Sequence, residues 1–351
     1  MNKVQICFEA CVVDGEWLWI SASNHNGLYK MNIGTGRITY CGIFPHEDIL
    51  KERLHYGNAI IISNKIYFIP LESSYMHIYD TEKNRFECYQ ISNRAAGFCM
   101  GAEYNRKIYM ISTRNMDISV YDILTNTIVK VYSETRDEWL GCAHGGCIYK
   151  DSFFSIARES NILRQYNMNT NNMKEWKLLN TKDNFEIIGI YDGKILLTNM
   201  NSKMVYSWDI KKKQIMYNEI KFEKKLNCWQ NGEWIITNNL SDKKIYMLNV
   251  LTKKVSIIYV ENKAINFDPF IISTAFNYGK DIFFVNKQDN CVYSSISGKV
   301  IYPLFIDEKN ISKRNTMIIN DKIDLCQKVV KENKIFSFKD YIKTIVQNHY
   351  K

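Results

Sequence analysis

The sequence predicts an all-β fold, a seven-bladed β-propeller with four-stranded blades and a short C-terminal helical tail. The first observation is composition: 23 Tyr and 17 Phe among 351 residues, with only 4 Pro, favour strands and argue against long linkers. The second is a strand–turn–strand phrase, clearest in MHIYDTEKNRFECY (76–89), that recurs along the chain. The third is its period of 40 to 48 residues, filled with strand patterns, which is the length of a propeller blade.

The recurring phrase is a hairpin whose turn begins at an Asx residue. An Asp or Asn side chain accepts hydrogen bonds from backbone groups just ahead of it, and this initiates a turn. Four residues later several copies have Gly or Asn, which tolerate the left-handed conformation that closes such a turn. The markers are Asn32, Asp80, Asp122, Asn167, Asp209 and Asn249, with Ser295 in a weaker seventh copy; the turn-closing residues are Gly36, Asn84, Asn126 and Asn171, with Gly298 in the seventh copy.

Each repeat contains two further strands before its hairpin. In the second repeat these are GNAIII (57–62) and IYFIP (66–70). Alternation gives every sheet two faces that pack on neighbours, so no blade stands alone and the ring must close. Small residues in CMGA (99–102) fit innermost strands near a crowded axis. Two candidates remain for the closing strand, KVQICF (3–8) and TMIIN (316–320).

The chain divides into a propeller (1–306) and a basic tail (307–351) that carries an amphipathic helix at about 337–350. Ser337 and Asp340 have capping-box spacing, and five apolar residues follow on one helical stripe. An isolated helix of this length is marginal in water, so the stripe should pack on a surface. We expect it to dock on the propeller, with a partner protein or an acidic membrane surface as the alternatives.

The hydropathy and the charge of the sequence predict the cellular compartment and the class of partner. No stretch reaches the 18 or so apolar residues of a membrane span, and the N-terminus lacks a signal-peptide pattern, so we expect a cytoplasmic protein with free thiols. The net charge is +9, but residues 311–351 hold nine Lys or Arg against four acids and account for +5 of it. The propeller is therefore close to neutral for its size, which argues against a nucleic-acid partner.

The phrase NKIYFIPLESSYMHIYDTEKNRFECY (64–89) resembles a kelch repeat, in which a KIY strand precedes a YD strand that ends in an Asx turn. The resemblance extends in fainter form over all seven copies, roughly residues 6–304. The first repeat, WLWISASNHNGLYKMNIGTGRI (17–38), is also similar to uncharacterised propellers of low-GC gut bacteria. Both resemblances imply the propeller fold, and neither implies a mechanism.

Motifs for chemistry are weak. CAHGGC (142–147) places Cys142 and His144 on one face of a strand, whereas Cys147 falls on the other face unless the two glycines form a bulge. No second cluster completes a tetrahedral metal site, and Gly-x-Ser-x-Gly and phosphate-binding glycine loops are absent from the sequence. We therefore expect no cofactor and no metal, and binding rather than catalysis.

Ligands of propellers bind where loops converge at one mouth, formed here by the turns between second and third strands and by the links between blades. These segments are rich in Asn and Arg, and a tryptophan ahead of an inner strand could stack on a sugar or a peptide side chain. The predicted ligand-binding residues are Asn24, His25, His46, Glu47, Glu72, Arg94, Arg114, Trp139, Arg158 and Glu159.

Two functions remain open. In the first, the protein is a non-catalytic binding scaffold that holds a protein, peptide or glycan across this mouth. In the second, it is a lyase or hydrolase that acts on a polar saccharide or peptide, with His46 and Glu47 as acid and base. We favour the first, and the sequence does not predict an oligomeric state.

Overall fold

A computed structural model gives the fold of the chain. It describes residues 3–5, 8–133, 143–157, 160–179, 184–199, 204–221, 226–231, 233–239, 244–259, 272–278, 281–286, 291–294, 300–303 and 305–307. All thirty elements in these ranges are β-strands. The prediction of an all-β fold with four-stranded units is confirmed.

The strands form seven consecutive four-stranded antiparallel units and one short additional pair. The first two units contain β2 (Phe8–Asp14), β3 (Trp17–Ala22), β4 (Leu28–Asn32), β5 (Ile38–Gly42), β6 (His55–Ile62), β7 (Lys65–Pro70), β8 (Tyr75–Asp80) and β9 (Arg85–Gln90). The third and fourth contain β10 (Phe98–Tyr104), β11 (Lys107–Ser112), β12 (Ile118–Asp122), β13 (Thr127–Tyr132), β14 (Ala143–Tyr149), β15 (Ser152–Ala157), β16 (Ile162–Asn167) and β17 (Asn172–Lys177).

The remaining units follow the same order. The fifth and sixth contain β18 (Phe185–Tyr191), β19 (Lys194–Asn199), β20 (Met204–Asp209), β21 (Gln214–Lys221), β22 (Leu226–Asn231), β23 (Trp234–Asn239), β24 (Lys244–Asn249) and β25 (Val255–Tyr259). The seventh contains β26 (Ile272–Tyr278), β27 (Asp281–Asn286), β28 (Cys291–Ser294) and β29 (Val300–Pro303). The additional pair is β1 (Lys3–Gln5) with β30 (Phe305–Asp307).

Hydrogen bonding divides the ring into six sheets, not the seven separate blades that the sequence predicts. Five sheets have four strands each, and the sixth has eight, in the order β5-β4-β3-β2-β6-β7-β8-β9. The first two units share this sheet because their innermost strands pair in parallel at Cys11 and Asn58. The propeller therefore has six blades when each hydrogen-bonded sheet is counted as one blade, and one of these blades contains two of the sequence repeats.

The Asx turns are confirmed in the six repeats whose turn residues are described. In the second unit Asp80 Oδ1 accepts hydrogen bonds from the backbone of Glu82 at 3.1 Å and of Lys83 at 2.9 Å, and Asn84 has φ of 51°. Bonds of the same kind reach Asn32, Asp122, Asn167, Asp209 and Asn249. The short side chain thus fixes the hairpin register that aligns β8 with β9 and its equivalents.

Among the described residues, the hydrophobic core forms seven clusters, each of which joins two consecutive units. One of them closes the ring, because Tyr29 and Met31 of the first unit pack with Phe283 and Val292 of the seventh. Burial of each such side chain contributes about 1.5–3 kcal/mol, so the interfaces hold the units together. The first strands also contact one another in cyclic order, from β2 through β26 and back to β2.

Close packing near the axis explains the small residues of the first strands. A Cβ atom on Gly146 would lie 2.9 Å from the carbonyl oxygen of Phe154 and 2.6 Å from Met100 Sδ. Outside the four-stranded units, Lys3–Gln5 pairs with Phe305–Asp307, which follows the seventh unit. Of the candidate closing segment KVQICF, Lys3–Gln5 therefore forms this additional pair, and Phe8 begins β2 of the first unit.

Several sequence predictions lie outside the described residues. These are the helix at about 337–350, the tail from residue 308 and the TMIIN strand (316–320). Within the described ranges, no helix is present that could span a membrane.

Candidate functional site

The mouth face is the end of the ring that carries the turns between second and third strands and the links between units. Backbone hydrogen bonds join these segments to one another: Arg53 N donates to Ser23 O, Gly97 N to Leu71 O and Thr113 N to Gly97 O. The first three units therefore present one continuous surface of loops. The first link (residues 43–54) joins the first unit to the second, and the second link (residues 91–97) joins the second unit to the third.

The side chain of Asn26 holds the first link in place through hydrogen bonds to its backbone. Its side chain is fully buried, its Nδ2 donates to the carbonyls of Phe44 at 2.9 Å and Glu47 at 3.1 Å, and its Oδ1 accepts from Phe44 N at 2.8 Å. Phe44 is itself fully buried and packs on Phe68 with ring centroids 5.0 Å apart. The first link is therefore a folded cover and not an open loop.

A chain of buried histidines lies beneath this cover. Ser21 Oγ lies 2.8 Å from His55 Nδ1, His55 Nε2 lies 2.9 Å from His77 Nδ1, and His77 Nε2 lies 3.0 Å from the carbonyl of Pro45. Because that carbonyl can only accept, neutral His77 donates through Nε2 and accepts at Nδ1, and His55 and Ser21 donate in the same direction. Every hydrogen bond of this Ser21–His55–His77–Pro45 series can form with both imidazole rings neutral.

Burial keeps these rings neutral. It lowers the pKa of His77 to about 4, although the Pro45 carbonyl and the Glu47 carboxylate oppose the shift. It also lowers the pKa of His55 well below its ordinary value, and the adjacent His77 adds to this. All three side chains of the chain are at most 2% exposed, so the arrangement anchors the link and is not open to a ligand.

His46 and Glu47 do not form an acid–base pair in this structure. The exposed His46 ring stacks on Tyr75 with centroids 5.3 Å apart. The Glu47 carboxylate accepts from Ser73 Oγ at 2.7 Å and pairs with Lys51 Nζ at 2.6 Å, and its side chain is 5% exposed. General acid–base catalysis requires groups within hydrogen-bond reach of the reacting proton, and Glu47 is instead occupied in holding the first link to the turn at 70–75.

Asn24 and His25 belong to the first unit, where Asn24 is half-buried and His25 is buried. His25 is fully buried, with Nε2 2.6 Å from the Tyr29 hydroxyl and Nδ1 3.1 Å from Asn24 Oδ1. Burial raises the pKa of the Tyr29 hydroxyl, so Tyr29 stays protonated and His25 has a stable partner. Glu72 is exposed in the turn after β7, where its backbone N–H donates to Arg53 O.

Arg94 and Arg114 come together in a cleft between the second and third units. The cleft has a volume of about 220 Å³ and lies between the second link and the turn that follows β11. Its polar lining supplies hydroxyl and amide groups beside the guanidinium groups. Its walls include Ser92, Arg94, Ser112, Arg114, Asn115, Asp117, Ser119 and Lys130.

The charges of the cleft are unbalanced. Asp117 Oδ2 pairs with Lys130 Nζ at 2.6 Å and accepts from Asn115 Nδ2 at 2.9 Å, with the Asp117 side chain only 6% exposed. Within the described ranges neither Arg94 nor Arg114 has an ion pair with an acid. Three cations and one carboxylate leave a local excess of positive charge, borne by the two exposed arginines.

The other predicted site residues fall elsewhere. Trp139, Arg158 and Glu159 lie outside the described residues, as does Cys142. Strand β14 has the register shift expected of a bulge between Ala143 and Gly146, and burial raises the pKa of the Cys147 thiol to about 12. In the part of the chain that the structure describes, no group of three or more His, Cys, Asp or Glu side chains could hold a metal ion.

Sequence reasoning missed the other half of the cleft. The sequence predicts the turn after β11 at STRNM (112–116), and Asp117 lies one residue beyond that segment. Lys130 stands directly opposite Ser119 in the pairing of β12 with β13. The predicted hairpin, which gives this register, was the signal that could have found them. The histidine chain had no such signal, because its members lie on different units or on non-adjacent strands.

No family model matches the chain, and no curated protein matches its sequence. Solved structures are similar in fold. Virginiamycin B lyase from Staphylococcus aureus has a TM-score of 0.63 at 13% identity, over 82% of this chain and 95% of its own. A streptogramin B lyase has 0.61 at 15%, over 82% and 92%. BamB from Moraxella catarrhalis has 0.50 at 12%, over 80% and 81%. These similarities support a β-propeller and carry no kelch-specific feature.

Proposed function

We propose that the protein is a non-catalytic binding scaffold whose mouth face holds a polar group of a protein, peptide or glycan. The observation that carries this proposal is the cleft between the second and third units, which brings Arg94 and Arg114 together with hydroxyl and amide side chains. Both guanidinium groups are exposed and have no acidic partner among the described side chains. Such groups suit a ligand that supplies the missing acceptors.

Binding is better supported than catalysis by the state of the titratable groups. The predicted acid–base residues, His46 and Glu47, have other partners, and the buried histidines are enclosed under the first link. Two of the similar structures are lyases, but at 13–15% identity this likeness concerns the fold alone. A lyase or hydrolase would need an acid–base pair at the mouth, and no such pair supports it in the described residues.

The cellular setting is part of the same proposal. We propose a cytoplasmic protein, in which cysteines such as Cys11, Cys99 and Cys291 remain free thiols. The relation to kelch repeats is proposed only at the level of strand order and turn position. BamB, another similar propeller, does not identify a partner for this chain.

The test is a glycan and peptide array read with the full chain and three variants. Arg94→Ala and Arg114→Ala should each remove or greatly weaken the signal of the ligand that binds. Arg106→Ala is the matched control, because Arg106 is an exposed arginine of the same third unit at the turn between β10 and β11, opposite the mouth. Unchanged binding in both cleft variants would remove the cleft from the site and contradict the proposal.

A further inference from the structure

The two cleft arginines are presented in the same way. Each stands two residues after a serine, and its backbone N–H donates to that serine's hydroxyl, Arg94 to Ser92 and Arg114 to Ser112, both at 3.2 Å. The two segments are also joined by the Thr113 N–H, which donates to Gly97 O at 2.7 Å. Backbone constraints therefore hold the two segments that carry these arginines, one on each side of the cleft, so less ordering is needed when a ligand binds.

The third cation of the cleft is already committed. Lys130 is paired with the buried Asp117 carboxylate, which Asn115 also contacts. The two guanidinium groups therefore carry an excess charge of about +2 in the cleft, since the Lys130 and Asp117 charges cancel. One monoanion would leave one of these groups without a partner.

The volume of the cleft suits a small chemical group of a ligand and not a whole drug-sized molecule. At about 220 Å³ it lies below the ~300–1,000 Å³ of pockets that enclose whole drug-sized ligands. Its hydroxyl and amide lining offers hydrogen bonds in several directions, which suits a tetrahedral anion better than a flat apolar ring. The remainder of such a ligand would lie outside the cleft, on the mouth face.

We infer that the cleft binds a phosphate monoester, with Arg94 and Arg114 as its two guanidinium contacts. The inference rests on the proposed function and names the class of its ligand. A phosphate monoester carries about −1.5 to −2 charge at pH 7 and three acceptor oxygens, which matches two guanidinium groups with paired donors. The ester can belong to a phosphorylated peptide side chain or to a sugar phosphate, because both offer the same dianion to the cleft.

The experiment is a titration of the full chain with an uncharged Gly-Ser peptide that carries one phosphoserine, its Ser and Glu counterparts, a hexose 6-phosphate and inorganic phosphate. Phosphoserine peptide or hexose phosphate should bind and be displaced by inorganic phosphate, whereas the Ser peptide should not bind and the Glu peptide should bind at least ten-fold more weakly. Tighter binding of the peptide than of the hexose phosphate identifies a phosphopeptide as the source, and the reverse identifies a sugar phosphate.

Variants distinguish phosphate binding in the cleft from non-specific attraction to the positive charge of the protein. Arg94→Ala or Arg114→Ala should weaken phosphoserine binding by roughly ten-fold to a hundred-fold, because each removes a charge-assisted hydrogen-bonding group. Arg114→Lys should recover only part of the affinity, since an ammonium group lacks the paired donors of a guanidinium group. Arg106→Ala should have no effect, and equal thermal midpoints for all variants will show that each is folded.

The outcomes distinguish this inference from the function on which it rests. If a neutral glycan or peptide binds and depends on Arg94 and Arg114, while no phosphate compound binds or competes, the scaffold proposal stands and the phosphate inference is overturned. If phosphate compounds bind equally well to the Arg94→Ala, Arg114→Ala and wild-type chains, the inference is also overturned. If nothing on the array or in the titration depends on either arginine, both fall.

Discussion

The first and second links occupy equivalent positions, each leading from the last strand of one unit to the first strand of the next, yet their polar groups have different partners. In the first link the polar groups bond to buried protein groups, as Phe44 and Glu47 do to Asn26. In the second link Arg94 extends from a serine turn towards an open cleft. The same position in the repeat thus gives a closed cover in one place and an open cleft in the next.

The difference shows why a polar loop is weak evidence for a site. Both links contain charged residues within predicted mouth loops, but Glu47 is satisfied by Ser73 and Lys51 inside the protein. A side chain with internal partners stabilises the fold, because breaking those bonds leaves buried groups unpaired. A side chain without them can exchange water for a ligand. Mutations should therefore separate the two links into stability effects and binding effects.

The largest expected effect is on stability, from Asn26→Ala in the first unit. Loss of the side chain leaves two carbonyls and one N–H of the first link without their partner. At about 1–3 kcal/mol for each unsatisfied buried group, unfolding in urea should show a loss of roughly 3 kcal/mol or more. Asn93→Ala, an exposed asparagine of the second link, is the control and should stay within about 0.5 kcal/mol. Equal losses of unfolding free energy in the Asn26→Ala and Asn93→Ala variants would contradict the contrast between the two links.

Acidification should act on the first link next. His55 and His77 have lowered pKa values in the folded state because they are buried, with His77 at about 4. Their contribution to stability is present above the unfolded-state pKa of about 6.5 and is lost as the pH falls from there towards 4, because the unfolded chain binds the extra protons. For His77 this amounts to roughly 3 kcal/mol.

Thermal midpoints between pH 7.5 and 4.5 measure this dependence. His77→Gln should flatten the curve, since an amide can still donate to the Pro45 carbonyl and has no proton to gain in this range. Asn93→Ala, at an exposed and uncharged residue of the second link, should leave the shape of the curve unchanged. A wild-type curve that stays level down to pH 4.5 would show that the buried histidines are not coupled to folding.

A smaller effect should come from two glycines with positive φ. Gly97 ends the second link at φ of 70°, and Gly15 lies in the turn between β2 and β3, opposite the mouth, at φ of 55°. Alanine at either position should reduce the free energy of unfolding by about 1 kcal/mol, because a side chain disfavours this conformation. Only Gly97→Ala should also weaken ligand binding, since Gly97 lines the cleft and a shift of its backbone would move the carbonyl that accepts from Thr113 N, next to Arg114. Equal binding in both variants would argue that the wall of the cleft does not need this geometry.

The smallest stability effect should be that of the cleft arginines themselves. Arg94→Ala and Arg114→Ala remove exposed side chains that have no ion pair with an acid among the described residues. Urea unfolding of each variant should agree with the wild type within about 0.5 kcal/mol. A loss above about 2 kcal/mol would mean that these arginines are structural, as Asn26 is.

The fold was largely predictable because the hairpins are specified locally. An Asx residue followed by a residue in the left-handed conformation sets each turn, as at Asp80 and Asn84, and this signal is visible in one sequence. The union of the first two units was not predictable. It depends on a single parallel pair between Cys11 and Asn58, which joins segments from different repeats and has no local pattern.

The site was predictable in part for the same reason. Arg94 and Arg114 could be assigned to mouth loops from strand order alone, whereas their shared cleft depends on how the second unit packs against the third. His25 and Glu47 resembled them in the sequence, but tertiary contacts bury the first and pair the second. Whether a polar side chain has an internal partner is decided by packing, which a single sequence does not reveal.

Hydrogen exchange with and without saturating phosphoserine peptide tests the contrast between the links most directly. In the free protein we expect the backbone amides of Phe44, Leu50 and Arg53 to be protected already, because they have hydrogen-bond partners. The amides of Arg94, Gly97 and Thr113 are also hydrogen-bonded in the free protein. On addition of the peptide, exchange in residues 92–97 and 112–119 should slow further, and exchange in the first link should not change. New protection confined to residues 43–54, or none in any of these segments, would contradict this contrast.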